Sequence, residues 1–560
     1  MDFKTCREAV YSNEWYDFML RKDDPLPGTG DDVCLIDMDG NYQFLYYKPV
    51  NLPSLNFKTY SYKAVPKCFT PLSAQALDAS GILRIRNQPN LSLTGEGVLV
   101  GIVDTGIDFT NQAFRYEDGS SRIIAIWDQT VEDGTPPEPY FYGQEYTQGV
   151  INEALANANP LLFVQVNDPI GHGTAVASIA AGSMDAASGF SGAAPHADIA
   201  VVKLKQAKQY LRDFYFIPDD AVAYQENDIM LGIDYLNRLA AARSQPLVLL
   251  VALGTNHGSH SGNSYLSSYL NDIGQRRMRA VTVAAGNEAN ERHHFYGKLY
   301  NAEEFVTVEV NVERVMNGFS IELWAQEPEL YEVSVISPAG ERVSRIPASR
   351  ESRQEYSFVL EGTNFSLDYQ IVGNLSANQL IYFRFERPSK GVWKILVYPK
   401  NFVYGVFHMW LPISAFLESP VYFLSSSPDT TLTIPGTAHV PMTVGGYNDA
   451  EGSLFLNSGR GYTINGGVKP DFAAPSVSIE GTGRQLHTGT SYAAAITAGA
   501  AAMYMEWAVV RGNIPGANSM DVKDDFIRGA DQETGELYPN REWGYGKLDL
   551  AGTFLYLAGL

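Results

Sequence analysis

The sequence predicts a parallel α/β sheet with helices on both faces, interrupted by an inserted antiparallel β-sandwich or jelly-roll module. Two observations carry this reading. Unbroken apolar runs, "GVLVGIVDTGID", "ADIAVVKL", "PLVLLVALG" and "RAVTVAAGN", alternate with helical stretches such as "GHGTAVASIAAGS" and "DIMLGIDYLNRLAAA". Strands buried on both faces read as continuous apolar runs, and strand–helix alternation builds a parallel sheet. From about Phe295 the texture changes to short alternating strands, "FVTVEVNVE", "FSIELWAQ", "YEVSVISPAG", "LIYFRFERP" and "VWKILVYPK", with no comparable helix until the 420s. That is the pattern of an antiparallel sandwich. The α/β texture resumes at "TIPGTAHVPMTVGGYN", and the long helix "SYAAAITAGAAAMYMEWAVV" follows Thr490.

Taken in order, residues 1–61 form an N-terminal segment, 62–294 the first part of the α/β domain, 295–424 the inserted module and 425–560 the second part. The module is roughly 125 residues, an ordinary domain size. Within the N-terminal segment, "DDPLPGTGDD" reads as a loop, "CLIDMDGNYQFLYYK" as a hairpin turning at Asp-Gly-Asn, and "CREAVYSNEWYDFMLR" as a helical opening.

Composition narrows the function. A formal charge of −22 argues against a nucleic-acid binder, which needs a basic surface, and against an anionic membrane. No apolar run approaches the ~18 residues of a membrane span. The start "MDFKTCREAVYSNEWYDF" lacks the basic and apolar parts of a signal peptide, so a soluble protein without an export signal is expected. Cys6, Cys34 and Cys68 are an odd, sparse set, read as neither a disulfide framework nor a metal cluster. A reducing or disulfide-independent life is expected.

Three motifs carry chemistry. "VDTGID" puts Asp104 at the end of a buried strand, "GHGTAVASIAAG" puts His172 at the start of a small-residue helix, and "GTSYAAA" puts Ser491 at the start of another. Alone, Ser491 reads first as a helix cap and His172 as a hydrogen-bonded core or cap histidine, and Asp104 could be a strand-end turn residue. Together they satisfy a nucleophile's needs. Serine requires an imidazole to take its proton, and the imidazole requires a carboxylate to hold its tautomer. Glycines beside His172 and before Ser491 let backbone approach closely. "VAAGNEAN" adds Asn287, whose side chain can donate to a developing oxyanion, with the Ser491 N–H as the second donor.

The set "DTGID", "GHGT", "AAGN" and "GTSYAA", in the order Asp, His, Ser, closely resembles the subtilisin-like serine proteases, the subtilases. The resemblance covers most of residues 62–290 and 425–560, including "VKPDFAAPSV". It implies Asp104, His172 and Ser491 as a catalytic triad and Asn287 as an oxyanion residue. It also implies that Leu253 and Gly254 of "ALGTNHGS" line the bound peptide. Ala284, Ala285 and Gly286 would line the pocket for the side chain before the scissile bond. The chain departs from the family pattern at Ala495, where a proline is usual; first-turn N–H groups lack helical partners in either case, so little chemistry is lost. The 68-residue interval from Asp104 to His172 and the module before Ser491 make the layout similar to the clostridial spore-germination subtilases of the Csp group. Those activate a cortex-degrading hydrolase by cleaving its pro-form, and some are pseudoproteases. The implied partner is a protein or peptide substrate, and the implied location is cytoplasmic or spore-associated.

Other features read more plainly. His257, His260, His293 and His294 match no closed zinc set and are given surface or loop roles. No cofactor is identified; calcium is common in the family, but no run of carboxylates names its ligands. The stretch from Ile123 to Gln165 holds six acidic residues and no Lys or Arg, read either as a solvated loop or as an acidic rim favouring basic substrates. Residues 1 to about 61 stand where a subtilase propeptide would, ending in "FKTYSYKAVPKCF", with self-cleavage expected near Tyr60–Ala64. The functional reading is a serine endopeptidase; the alternatives are a non-catalytic scaffold on the same fold and a hydrolase of another acyl bond.

Overall fold

The computed structural model describes all residues except 1–2, 25–32, 49–54, 58, 72–78, 186–189, 350–351, 373–377 and 560. Its centre is a sheet whose parallel strands are β1 (Leu99–Asp104), β2 (Ile123–Asp128), β3 (Asp198–Lys203), β4 (Leu247–Val251), β5 (Arg279–Ala284), β6 (Met442–Asn448) and β7 (Phe472–Pro475). The spatial order is β6, β5, β4, β1, β3, β2, with β7 beside β6 and short antiparallel strands at both edges. Every residue of β1, β4 and β5 is buried, which is why their sequences carry no alternation. The chain leaves β1 toward β3 and β2, and leaves β4 toward β5 and β6. The crevice at the carboxyl ends of β1 and β4 is therefore the topological switch point, where open α/β sheets place their sites.

Helices α1 (His172–Ala181), α2 (Glu226–Ala242) and α3 (Thr490–Met505) pack on the faces. All residues of α1 and α3 are buried. Thr490–Val510 is long and apolar enough to cross a membrane, yet 83% of its most apolar window lies inside the fold. Its alanines serve close packing: a Cβ on Gly499 would lie 2.3 Å from Ala193 Cβ and 2.6 Å from the Ala180 carbonyl.

Residues 294–423 form two antiparallel sheets of six and five strands, packed face to face over a core of Phe319, Phe365, Phe383, Trp393 and Phe407. The described residues among the first 71 lie against both units. Their helix stops at Tyr11 and gives way to the strand Tyr16–Arg21, so the expected helical opening is shorter than its sequence suggests. The hairpin is present as Val33–Asp37 paired with Tyr42–Tyr47, while "DDPLPGTGDD" falls almost entirely outside the described residues.

Two expectations are corrected. Cys6 and Cys34 form a disulfide, and only Cys68 is a buried free thiol; the odd cysteine count concealed a pair that the N-terminal sheet brings together. The four histidines are buried, not superficial. His257 lies against Tyr215 and His260 stacks on Trp410, while His293 pairs with Glu288 at 2.7 Å and His294 meets His408 at 2.9 Å. They occupy the junction between core and module. Glu322 of the module anchors the same junction: it accepts hydrogen bonds from Tyr62 (2.8 Å), Trp324 (2.9 Å) and the Gly258 N–H (2.9 Å).

Candidate active site

Asp104 is the last residue of β1 and is wholly buried. Its Oδ1 accepts the Thr105 N–H at 2.7 Å and faces His172 Nδ1 at 2.7 Å. A carboxylate can only accept, so the proton sits on Nδ1 and the imidazole presents Nε2 as its basic nitrogen. The close approach of β1 and α1 depends on glycine: a Cβ on Gly173 would lie 2.2 Å from the Gly106 carbonyl oxygen.

Asp168 fixes this pair and was not singled out from the sequence. Its Oδ1 accepts the Thr105 hydroxyl (2.7 Å) and the Gly171 N–H (2.9 Å), and its Oδ2 accepts the N–H (2.8 Å) and hydroxyl (2.7 Å) of Thr174. One carboxylate thus ties the end of β1 to the first turn of α1. The available signal was an acid four residues before His172 in "NDPIGHGT".

Ser491 lies in the first turn of α3 beside α1; the Tyr492 ring sits 5.4 Å from His172. The helix is capped by Gly489 without a side-chain bond, so Ser491 is no cap. Its hydroxyl donates to the Ala252 carbonyl at 3.1 Å. Its own N–H belongs to the first turn, where no intrahelical acceptor exists and negative charge is favoured. Asn287 Oδ1 accepts the Thr490 N–H (3.0 Å) and hydroxyl (3.2 Å), and the Thr490 hydroxyl accepts the Gly286 N–H (3.0 Å). With Oδ1 engaged, Nδ2 is the end of the Asn287 amide that can donate elsewhere. Burial, reinforced by the charges of Asp104 and Asp168, pushes the Tyr224 and Tyr492 phenols up. Burial and the neighbouring His172 pull His487 down.

The chain's own strand Cys68–Pro71 lies alongside, between two other strands. It pairs antiparallel with Leu253–Gly254 on one side (Leu253 opposite Pro71, Gly254 opposite Thr70) and with Tyr224–Gln225 on the other. Phe69 is fully buried there among Tyr224, Leu253 and Leu266.

A family model described as the Subtilase family matches residues 95–380 and 423–546. The chain belongs to the subtilase family. It is similar to the solved CspB protease of Clostridium perfringens at 32% identity and a TM-score of 0.76, over 87% of this chain and 100% of that one. Subtilisin-like protease SBT2.2 of Arabidopsis thaliana shares 30% identity over 174 residues, which is 27% of this chain and 19% of that relative.

In this subtilase, Leu253 and Gly254 pair with the chain's own strand, and Ala284, Ala285 and Gly286 lead from β5 to Asn287, whose side chain meets Thr490 beside Ser491. Tyr60–Ala64, the expected self-cleavage region, lies instead at the core–module junction, where Tyr62 is buried and bonded to Glu322. Of the acidic stretch, Asp128 is buried 3.6 Å from Lys203 and Glu145 accepts the Tyr235 hydroxyl, while Glu132, Asp133, Glu138 and Glu153 are exposed, as a solvated loop requires. Among the described residues, no group of three or more His, Cys, Asp or Glu side chains is gathered to hold a metal.

Proposed function

We propose that this subtilase is an active serine endopeptidase working through an acyl-enzyme. Rotation of the Ser491 side chain away from Ala252 brings Oγ to His172, which takes the proton as Oγ attacks the peptide carbonyl. His172 then delivers that proton to the leaving amine, and Asp104 steadies the imidazolium. Asn287 Nδ2 and the Ser491 N–H hold the oxyanion, and Leu253–Gly254 pairs with the substrate backbone. The observation that carries this reading is the buried 2.7 Å contact between His172 Nδ1 and Asp104, set beside the first turn that bears Ser491.

The strand in the cleft supports self-processing at a bond C-terminal to Pro71, within residues 72–78, which lie outside the described residues. The likeness to CspB supports a protein pro-form as the external substrate and a cytoplasmic or spore-associated site of action. A fluorophosphonate probe should label the wild type and leave Ser491→Ala unlabelled. Intact mass should show the N-terminal segment severed only in the wild type. Absence of labelling would favour a non-catalytic scaffold.

A further inference from the structure

A cavity of about 510 Å³ lies where three parts of the molecule meet, and no residue of the candidate triad lines it. Arg21, Tyr42 and Lys63 of the first 71 residues form one wall. The core supplies Ser259, Asn263 and Ser268, and the inserted module supplies Trp324 and Asn378. Junctions between units are where small-molecule sites gather, and this volume suits one.

The charge of the wall runs against that of the chain. Two cations, Arg21 and Lys63, line the cavity with a single acid, Asp272. Among the described residues no carboxylate is paired with Arg21 or Lys63, whereas the neighbouring Lys67 has Glu226 at 4.0 Å. Arg21 Nε is buried without a hydrogen-bond partner, and the rest of the guanidinium meets the Tyr42 hydroxyl. Asp24 accepts the Arg21 N–H (2.8 Å) and the Tyr265 hydroxyl (3.2 Å). Burial, reinforced by Arg21 and Lys67 and opposed by Asp24, pulls the Lys63 ammonium down. Burial pushes the Asp272 carboxyl up, against the pull of Arg21 and Arg276. Two like charges are thus held together, half-buried, with no counter-charge in contact.

The rest of the wall is neutral and polar. The Ser259 and Ser261 hydroxyls lie 2.6 Å apart, so one of their protons is directed elsewhere. The side chains of Asn263 and Asn378 hydrogen-bond to none of the described residues, although Asn378 is buried. Such groups suit the uncharged part of a polar ligand.

We infer that this cavity binds a small polar molecule carrying a phosphate or a carboxylate, its oxyanion set between Arg21 and Lys63, and that the bound molecule fastens the N-terminal segment to core and module. A guanidinium offers two parallel donors to an oxyanion, and an ammonium adds a point charge from the other side. The site is independent of the proteolytic reading, because none of its residues takes part in that chemistry.

The test uses the full-length Ser491→Ala chain, so that no self-cleavage changes the species being melted. Inorganic phosphate and malonate are titrated separately, with chloride holding the ionic strength constant, and the melting temperature is followed. The expected result is a saturable rise of about 2 °C with at least one of the two anions. A response to phosphate alone assigns a phosphorylated ligand, a response to malonate alone a carboxylated one, and equal responses assign the oxyanion itself as the recognised group. Lys63→Gln removes a charge whose side chain bonds to none of the described residues, and it should weaken the apparent affinity by about tenfold or more. No saturable rise with either anion, or the same rise at the same midpoint in Lys63→Gln, would overturn the proposal.

Discussion

The α/β core and the inserted module fill their interiors differently. Around α1 and α3 the core is packed with Ala175, Ala177, Ala180, Ala193, Ala494, Ala498 and Ala501, whereas the sandwich interior sets large rings such as Phe319, Phe365, Phe383, Trp393 and Phe407 among branched aliphatic side chains. Small residues allow backbones to meet, and the core must bring a strand end, two helix starts and the Asn287 loop within hydrogen-bond reach of one another. The module holds no such constellation, and large rings give it the most burial per residue. Its link to the core lies at its borders, in Glu322 and the histidine stack.

The difference is most sharply broken at Gly499. In Gly499→Val the new side chain meets Ala193 Cβ and the Ala180 carbonyl, and backbone cannot yield cheaply. A loss of about 3 kcal/mol or more is expected, the upper end of overpacking costs, together with loss of fluorophosphonate labelling as α1 and α3 part. A variant that labels normally and melts with the wild type would show that this contact does not set the site.

The junction should fail next, and in acid. Burial is the main influence holding His257 down to about 3, His260 to about 4 and His408 to about 3. Neighbouring charges reinforce this, Lys67 and His260 at His257 and His260 and Arg541 at His408, while the Asn256 and Leu432 carbonyls oppose it at His260. The unfolded chain takes up protons near pH 6.5 while the folded chain does not. Stability is therefore full above about pH 6.5 and falls as pH drops toward 4, by about 2 kcal/mol per imidazole at pH 5. Melting temperatures at pH 7.5 and 5.0 measure this. His408→Asn should flatten the slope, and an unchanged slope would remove His408 from the account.

These two sites also show what could be read from letters alone. Asp104, His172, Ser491 and Asn287 were legible because each sits at the end of an element whose pattern is local: an unbroken apolar run, or a glycine followed by small residues. Asp168 was not. Asp168 lies in a loop without periodicity, and its four bonds depend on where Thr105 and Thr174 come to rest. The Cys6–Cys34 bond and the buried histidines were missed for the same reason, since pairing across elements leaves no trace in spacing. The Ala-rich α3 has no polar face because it is buried all round, so by length and apolarity alone it resembles a membrane span.

Asp168 offers a finer probe of the core. Asp168→Asn keeps the side chain's size but replaces one accepting oxygen with a donor facing N–H or hydroxyl groups that need acceptors. The expected outcome is a fall in kcat of about 10–100-fold, the usual scale for residues that orient a reactive ligand or side chain, with little change in KM. Fluorophosphonate labelling should slow by the same factor, since the probe needs the same His172–Asp104 alignment. A change confined to KM would assign Asp168 to substrate binding and not to positioning.

The smallest effect belongs to the module's outer surface. Lys394 and Glu309 lie 3.1 Å apart across neighbouring strands, with side chains 46% and 39% exposed. Exposed pairs gain little because water screens them and two long side chains must be held in place, so Lys394→Ala should cost less than about 0.5 kcal/mol. Lys208 is the instructive counterpart. It is buried in the core and reaches Asp17 of the N-terminal segment at 2.5 Å, and that carboxylate also accepts from Gln225 in the cleft edge at 2.8 Å. Lys208→Ala strands Asp17 without its cation in a site water cannot enter, so about 3–5 kcal/mol is expected. Chemical denaturation of both variants measures the ratio. Comparable losses would mean that burial of the ion pair, and with it the docking of the N-terminal segment on the cleft edge, contributes nothing beyond a surface contact.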